Sequence, residues 1–480
     1  MLRQIPPTPP LDAAERYALS ILLDLSRLLL TQSAGNVVEL RVEGGSAGAP
    51  LTLAELRQAE WGVRVADGSV EIRRDALRLV TSAAGAVAEQ GSSATDKHGR
   101  VPHSENDLVR ASLEREPVVH RVAQALRQAT IAAAGRRRVV LVAPWPDGRR
   151  WAVAMSHDLD VVANWPVFTA LRIGELLRKR EVGAAARAAA AAATSALGDP
   201  VLAAARDVLA TERRLGIRST WFVITGTPTL DTMRAGDITY LPESPACRRI
   251  LDAVGDDGHE IGLHGSFATV EAPRLFLEQR ERLTLLGQRP VHGVRQHFIR
   301  MRPGLTHREM AVAGFQYDST FGFSDRNGFR LGLSDVVPVW DQAAGRALGM
   351  DELPFVWMDR ALSKYQGVES PEAWVDDALD LAKTCREVEG VWCGIWHPNL
   401  APALGYPGAP AAFARLCEGL LAAIPWTATI GEIVRWRRAR RQVRLAPDSS
   451  PETVRVNVPA GAPGLALEDA AGNPVPFSRG

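Results

Sequence analysis

At 480 residues, with 46% hydrophobic and 23% charged side chains, the chain has room for about two to four units of ~100–200 residues, at least one with a sizeable core. A formal net charge of +1 argues against a protein whose main partner is nucleic acid or an anionic membrane surface. Four cysteines, none in a CxxC pair, exclude a disulfide framework and predict a reducing compartment.

Residues 1–145 read as an α+β unit without obvious chemistry. Ile21, Leu22, Leu25, Leu28 and Leu29 recur at helical spacing, the pattern of an amphipathic helix on a soluble core. Asp24 and Arg27 interrupt that stretch, which is too short to span a bilayer, and its Pro-rich start does not read as a basic leader. The expectation is a cytoplasmic protein with no membrane span. A strand is predicted at 37–42, and Thr52 with Glu55 forms a capping box that opens a helix. The polar run 91–106 reads as an exposed loop and 108–134 as one helix. Gly44, Ser46 and Gly48 match G-x-S-x-G. A nucleophile elbow needs a helix straight after its serine, however, and Ala49-Pro50 follows here, so a flexible turn explains the glycines better.

From 146 to 445 short apolar runs alternate with helical stretches: 151–155, 220–225, 260–263, 291–295, 353–358 and 391–396. Such alternation predicts βα units around a buried, largely parallel sheet. The Ala-rich run 184–196 reads as a helix, and the arginines at 435, 437, 438, 440 and 441 as a solvated helix face. Residues 446–480 read as a short β-rich tail behind a linker at 447–451.

Polar residues gather just after several of these runs. Ser156-His157-Asp158-Leu159-Asp160, His264-Gly265-Ser266, Arg295-Gln296-His297 and His397-Pro398-Asn399 each follow a predicted strand. In βα folds the C-terminal edge of the sheet is where active sites are built. Asp158 and Asp160 could instead cap a helix near Val161, and His264 could be a hydrogen-bonded core histidine. His259 with Glu260 resembles H-E-x-x-H, but the second histidine stands at +5, which excludes a zincin helix, and His259 reads as structural. Carboxylates and imidazoles together can hold a divalent metal, take a proton from water and protonate a leaving group. That kit suits hydrolysis of an amide or ester, with Arg295 placed to keep a carboxylate base ionised. No Walker A loop or strand-linked G-x-G-x-x-G supports nucleotide chemistry.

The segments SHDLD (156–160), STWFV (219–223), GHEIGLHGS (258–266), GVRQHF (293–298), FQYDSTFGF (315–323), ELPFVWMD (352–359) and IWHPN (395–399) resemble, in order, those of the polysaccharide deacetylases, the NodB-homology or carbohydrate esterase family 4 proteins. The resemblance covers about residues 150–440 and is nearest to a bacterial branch with an extra N-terminal region. It implies an α/β fold, a distorted (β/α)7-type barrel, here with an α+β N-terminal domain and a small C-terminal β appendage. It also implies metal-dependent removal of acetyl groups from a sugar or polysaccharide, the metal often being zinc. Carried over by position, Asp158 is the catalytic base, Arg295 the arginine that tunes it and His397 the general acid. Asp160 and His264 are metal ligands, and Tyr317 and Asp318 lie near the substrate groove.

Two departures from the family pattern stand out. Leu159 separates aspartates that are usually adjacent, although Asp158 and Asp160 share a face of an extended strand end. The usual second metal histidine, four residues after His264, is Ala268, and His297 is the candidate to replace it. Two other readings follow. One is a catalytically degenerate, glycan-binding member of the same fold. The other is a glycosyltransferase using Asp158-Leu-Asp160 as a DxD motif, which leaves His264, Arg295 and His397 without roles.

Overall fold

The computed structural model describes residues 2–31, 37–43, 52–163, 165–194, 198–446, 449 and 453–479. The Gly44–Gly48 match lies outside them, as does most of the expected linker. The chain opens with β1 (Leu2–Gln4), β2 (Val38–Glu43), β3 (Val63–Ala66) and β4 (Ser69–Arg73), which form a sheet in the order β1-β2-β4-β3. Helices Ala13–Leu25, Arg74–Ala84 and Val118–Ala134 pack with this sheet. The Thr52–Glu55 capping box is present as expected. The helix expected over 108–134 is broken into Asp107–Arg110 and Val118–Ala134. Ser112 takes a positive φ and Pro117 supplies no N–H, so the helix restarts only after the proline.

The central sheet comprises β6 (Ala152–Leu159), β7 (Thr220–Val223), β8 (Glu260–Gly265), β9 (Gly293–Gln296), β10 (Tyr317–Asp318), β11 (Val337–Asp341), β12 (Arg346–Glu352), β13 (Trp357–Met358), β14 (Val391–Ile395) and β15 (Trp426–Thr427), preceded by the short β5 (Val140–Val142) of a separate sheet. Its order is β11-β12-β10-β9-β8-β7-β6-β14-β13, with β15 also paired to β6. Every pairing is parallel except the β11–β12 hairpin. The result is a mixed α/β fold with a curled half-barrel sheet; among the described residues β13 and β11 are its free ends. The predicted run 353–358 is a strand only at its end, because Pro354 cannot donate to a ladder, and the residues before it pair as β12.

Strands buried on both faces sort their side chains by parity. Along β6, Val153, Met155 and Leu159 join the layer of apolar side chains under the helices. Ala152 and Ala154 face the inner layer with Phe222, Tyr317, Met358, Cys393 and Ile395. The strand's alternation therefore sends Asp158 to the inner face and His157 to the outer one. His157 is buried there between the Trp396 carbonyl (2.8 Å) and Glu212 of helix Pro200–Leu215 (3.0 Å). Close approach on the inner face requires glycine. A Cβ on Gly293 would lie 1.9 Å from the Tyr317 ring, and one on Gly262 would lie 2.6 Å from the Phe222 ring.

Two surface expectations fail for an electrostatic reason. Arg437 and Arg440 of helix Ile430–Arg440 are buried, not solvated, bound to Asp24 at 3.1 and 2.6 Å. The run 91–106 is also not a free loop: Arg100, Val101 and Asn106 are buried. Arg100 bonds Asp96, the Phe298 carbonyl and the Tyr365 hydroxyl, while Asn106 bonds Glu89 and the Arg330 carbonyl. Apolar residues of the first 141 positions share one cluster with Met301, Phe321, Leu331, Leu333, Val337 and Trp340, so the N-terminal unit packs on the sheet's β11 end. In the tail, Leu467–Asp469 pairs antiparallel with β5.

Candidate active site

A cavity at the C-terminal edge of the sheet is lined by Asp158, Asp160, His264, His297 and His397 among others. Their arrival there follows from strand parity. Asp158 closes the inner row of β6 with Asp160 two residues on. On β8, Ile261 and Leu263 face the helices, so Glu260, Gly262 and His264 face inward. On β14, Val391, Cys393 and Ile395 face inward, and His397 continues that row.

Asp158 is almost fully buried, and its Oδ1 accepts from Arg295 Nη1 at 2.8 Å. Arg295, wholly buried on β9, also donates to Ser156 Oγ and to the Ser319 carbonyl and hydroxyl, at 2.8–2.9 Å. Its guanidinium lies over the Phe222 ring, 4.3 Å from the centroid. Burial alone would raise the Asp158 pKa, but the Arg295 charge, helped by His264 and His397, holds it below the ordinary carboxylate value. Asp158 is thus an ionised, desolvated carboxylate at neutral pH.

Asp160 stands among three imidazoles. Its Oδ1 is 3.3 Å from His264 Nε2 and 3.5 Å from His297 Nε2, and its Oδ2 is 3.6 Å from His397 Nε2. Burial raises the Asp160 pKa, yet His297, His264 and His397 outweigh it and press the carboxylate far below its usual range. The far ring nitrogens fix the tautomers. His264 Nδ1 donates to the Arg295 carbonyl at 2.9 Å, and His297 Nδ1 donates to Asp237 Oδ1 at 3.0 Å. Both histidines therefore turn Nε2 toward Asp160, whose buried Oδ1 has no hydrogen-bond partner among the described residues. Asp160, His264 and His297 offer ligand atoms within 4.8 Å of one another. Two imidazoles and a carboxylate, one imidazole backed by a second carboxylate, fit a divalent cation such as zinc. Ala268 lies in the 3-10 turn Phe267–Val270 and offers no ligand atom.

His397 is held differently. Its Nδ1 donates to Asp359 Oδ1 at 2.6 Å, and its backbone N–H donates to Asp359 Oδ2 at 2.6 Å. Burial disfavours the imidazolium, but Asp359 and Asp160 outweigh it and raise the His397 pKa above its ordinary value. Beside His297, Phe298 takes a left-handed φ of 58° that a bulky residue rarely adopts. Its ring stacks on His297 with centroids 4.1 Å apart, and its carbonyl is held by Arg100 of the N-terminal unit.

Tyr317 and Asp318 do not join this group, and neither is among the residues that line the cavity. The Tyr317 ring fills the space over Gly293, lower on the inner face and near Glu260. Asp318 alternates to the other face and meets His307 (3.3 Å), which also faces Glu352 (3.7 Å). His307 Nδ1 accepts the Gly304 N–H, so Nε2 carries a proton between the two carboxylates. Asp237, Asp359 and Arg100 were not singled out from sequence. Asp359 ends a predicted strand, the signal that marked the other site residues, whereas Asp237 sits in a loop with no pattern to betray it.

No family model and no curated protein matches the chain. Among solved structures it is similar to a putative polysaccharide deacetylase from Mycobacterium smegmatis, at 20% identity and a TM-score of 0.42, covering 62% of this chain and 93% of that chain. It is also similar to the Bc1960 peptidoglycan N-acetylglucosamine deacetylase, at 10% identity and a TM-score of 0.32, covering 60% and 90%. The chitin deacetylase of the fungal pathogen Colletotrichum lindemuthianum matches at 12% identity and a TM-score of 0.31, covering 61% and 89%. Each is a deacetylase of carbohydrate by its own description. Among the described residues, no helix is long and apolar enough to cross a membrane.

Proposed function

We propose that the chain is a polysaccharide deacetylase-like hydrolase that removes acetyl groups from a sugar, through amide or ester cleavage. The observation that carries this reading is the meeting, in one cavity, of a desolvated carboxylate held ionised by arginine, a ligand-like Asp–His–His trio and a histidine backed by aspartate. Asp160, His264 and His297 would hold a divalent cation, zinc by its donor types. When bound, that ion supplies an acidified water and polarises the scissile carbonyl.

This chain's own residues divide the proton work. Asp158, charged at neutral pH, accepts the proton of the attacking water, and Arg295 keeps it ionised and aimed. His397, whose proton is favoured by Asp359, donates from Nε2 to the departing amine or alkoxide. The proton held by Asp158 and the one lost by His397 balance over a turnover. The cysteine content is the basis for expecting the cytoplasm, and residues 1–145 and 446–480 frame the catalytic unit.

The test is release of acetate from an N-acetylated oligosaccharide. Asp158→Asn is expected to abolish it while zinc content survives, because asparagine keeps the shape and one acceptor but takes no proton. Undiminished release in that variant overturns the assignment. Binding of the oligosaccharide with no release by the wild type selects the glycan-binding reading.

A further inference from the structure

The same cavity has a second chemical character. Beside the carboxylate–imidazole group it is lined by four cations: Arg100, Arg172, Arg360 and Lys364. Two are neutralised locally, Arg100 by Asp96 at 2.6 Å and Arg172 by Glu175 at 2.8 Å. Arg360 and Lys364 have no carboxylate oxygen within 4.0 Å among the described residues. Arg360 reaches only neutral acceptors, Asn399 Oδ1 and the Tyr406 hydroxyl, both at 3.2 Å and both on the cavity wall. That occupies two of its five donors.

The backbone that carries these cations is unusual. Arg360 is the N-cap of a π-helix, Ala361–Gln366. Such turns are rare and gather at functional sites, and their i→i+5 bonding brings residues four apart to one side. Arg360 and Lys364 are spaced so, and Ser363 between them presents a buried hydroxyl with no hydrogen-bond partner to the same cavity. Arg100 pins the turn from the N-terminal unit through the Tyr365 hydroxyl, at 3.1 Å.

We propose that this wall is an anion subsite: the cavity takes a sugar that carries a carboxylate or phosphate, gripped by Arg360 and Lys364. The proposal rests on reading the cavity as a deacetylase site for its substrate, though not for the binding itself. A neutral glycan would leave a partly buried guanidinium with no direct salt bridge, since Asp359 and Asp160 act on it only from beyond 4.0 Å, whereas an oxyanion would satisfy its fork with charge-assisted hydrogen bonds. The near-zero net charge of the chain conceals this, since it averages over surfaces far from the cavity.

Calorimetric titration of the full chain with glucuronate, inorganic phosphate and glucose tests the subsite without hydrolysis. One anion is expected to bind, with at least tenfold weaker affinity in Arg360→Met and in Lys364→Met, and glucose is expected not to bind. Lys364 is exposed, so its replacement carries no folding burden. Which anion binds distinguishes the carboxylate from the phosphate source. Equal affinity in wild type and both variants, or no anion binding, overturns the proposal. In the kinetic arm, the wild-type preference in kcat/KM for an acidic over a neutral N-acetylated oligosaccharide should fall at least tenfold in Lys364→Met. Absence of any such preference overturns the subsite and leaves the deacetylase reading standing. Loss of anion binding in the variants, with no acetate released from any substrate by the wild type, supports the subsite and rejects the deacetylase reading.

Discussion

Asp237 is the residue whose replacement tests the ligand geometry most selectively. Its Oδ1 accepts from His297 Nδ1 at 3.0 Å and from the Phe267 backbone N–H at 2.9 Å, and it touches neither Asp160 nor His264 among the described contacts. Asp237→Asn retains an amide oxygen for both donors, so the local fold is preserved. It removes the carboxylate charge that, in the proposed cation site, backs His297 through Nδ1. Losing such an outer partner typically costs 10–100-fold in metal affinity, or about 1.4–2.7 kcal/mol. Competition with a zinc chelator, monitored at fixed pH, reads that change directly. A Kd for zinc within twofold of wild type would refute the argument that His297 is a ligand oriented through Asp237. A loss as large as that of His297→Ala would show that Asp237 positions the whole ring.

Two further predictions concern stability. Gly293→Ala places a methyl 1.9 Å from the buried Tyr317 ring, an overpacking expected to cost about 1–3 kcal/mol or more; an unchanged urea midpoint would contradict the packing described. The His307 cluster makes the fold sensitive to alkali. Burial works against the His307 imidazolium, but its hydrogen bonding to the Asp318 and Glu352 carboxylates prevails and pushes its pKa up to about 9. Burial and the Asp318 charge likewise raise Glu352. The folded chain therefore holds more protons than the unfolded one: the Glu352 contribution is full only below the ordinary carboxylate value and lost as pH rises through about 8, and the His307 contribution, on the order of 3 kcal/mol, is full below the ordinary histidine value and lost as pH rises through about 9. Urea unfolding from pH 6.5 to 9.5 should show that decline in wild type and a flatter profile in Glu352→Gln; parallel profiles would refute it.

How much of this was legible in the sequence depends on what fixes each residue. Period-two alternation decides which side of a buried strand a residue faces, so Asp158, Asp160, His264, Arg295 and His397 could be placed at one sheet edge from their positions alone. The same rule, applied to the two-residue strand β10, separates inward-facing Tyr317 from Asp318, but it does not give the height on the inner face at which the Tyr317 ring lies. A resemblance of segments does not carry that information. What escaped the sequence are contacts made across long separations: Asp237 with His297, Asp359 with His397, and Arg100 with a turn more than 260 positions away. The arginines of helix Ile430–Arg440 looked solvated because their partners, Asp24, Asp335 and Asp351, are scattered through the chain. Polar residues without periodicity read as surface, and only the fold reveals that their charges meet in the interior.

The central claim is that Asp160, His264 and His297 form one cation site despite Ala268. Equilibrium dialysis of the purified chain against zinc, with metal measured by mass spectrometry, tests it most directly. The account predicts about one zinc per wild-type chain and a large loss of binding in His297→Ala and in Asp160→Asn, with the circular dichroism of both variants unchanged. Wild-type protein that takes up no zinc, or a His297→Ala variant that binds it as tightly as wild type, would contradict it.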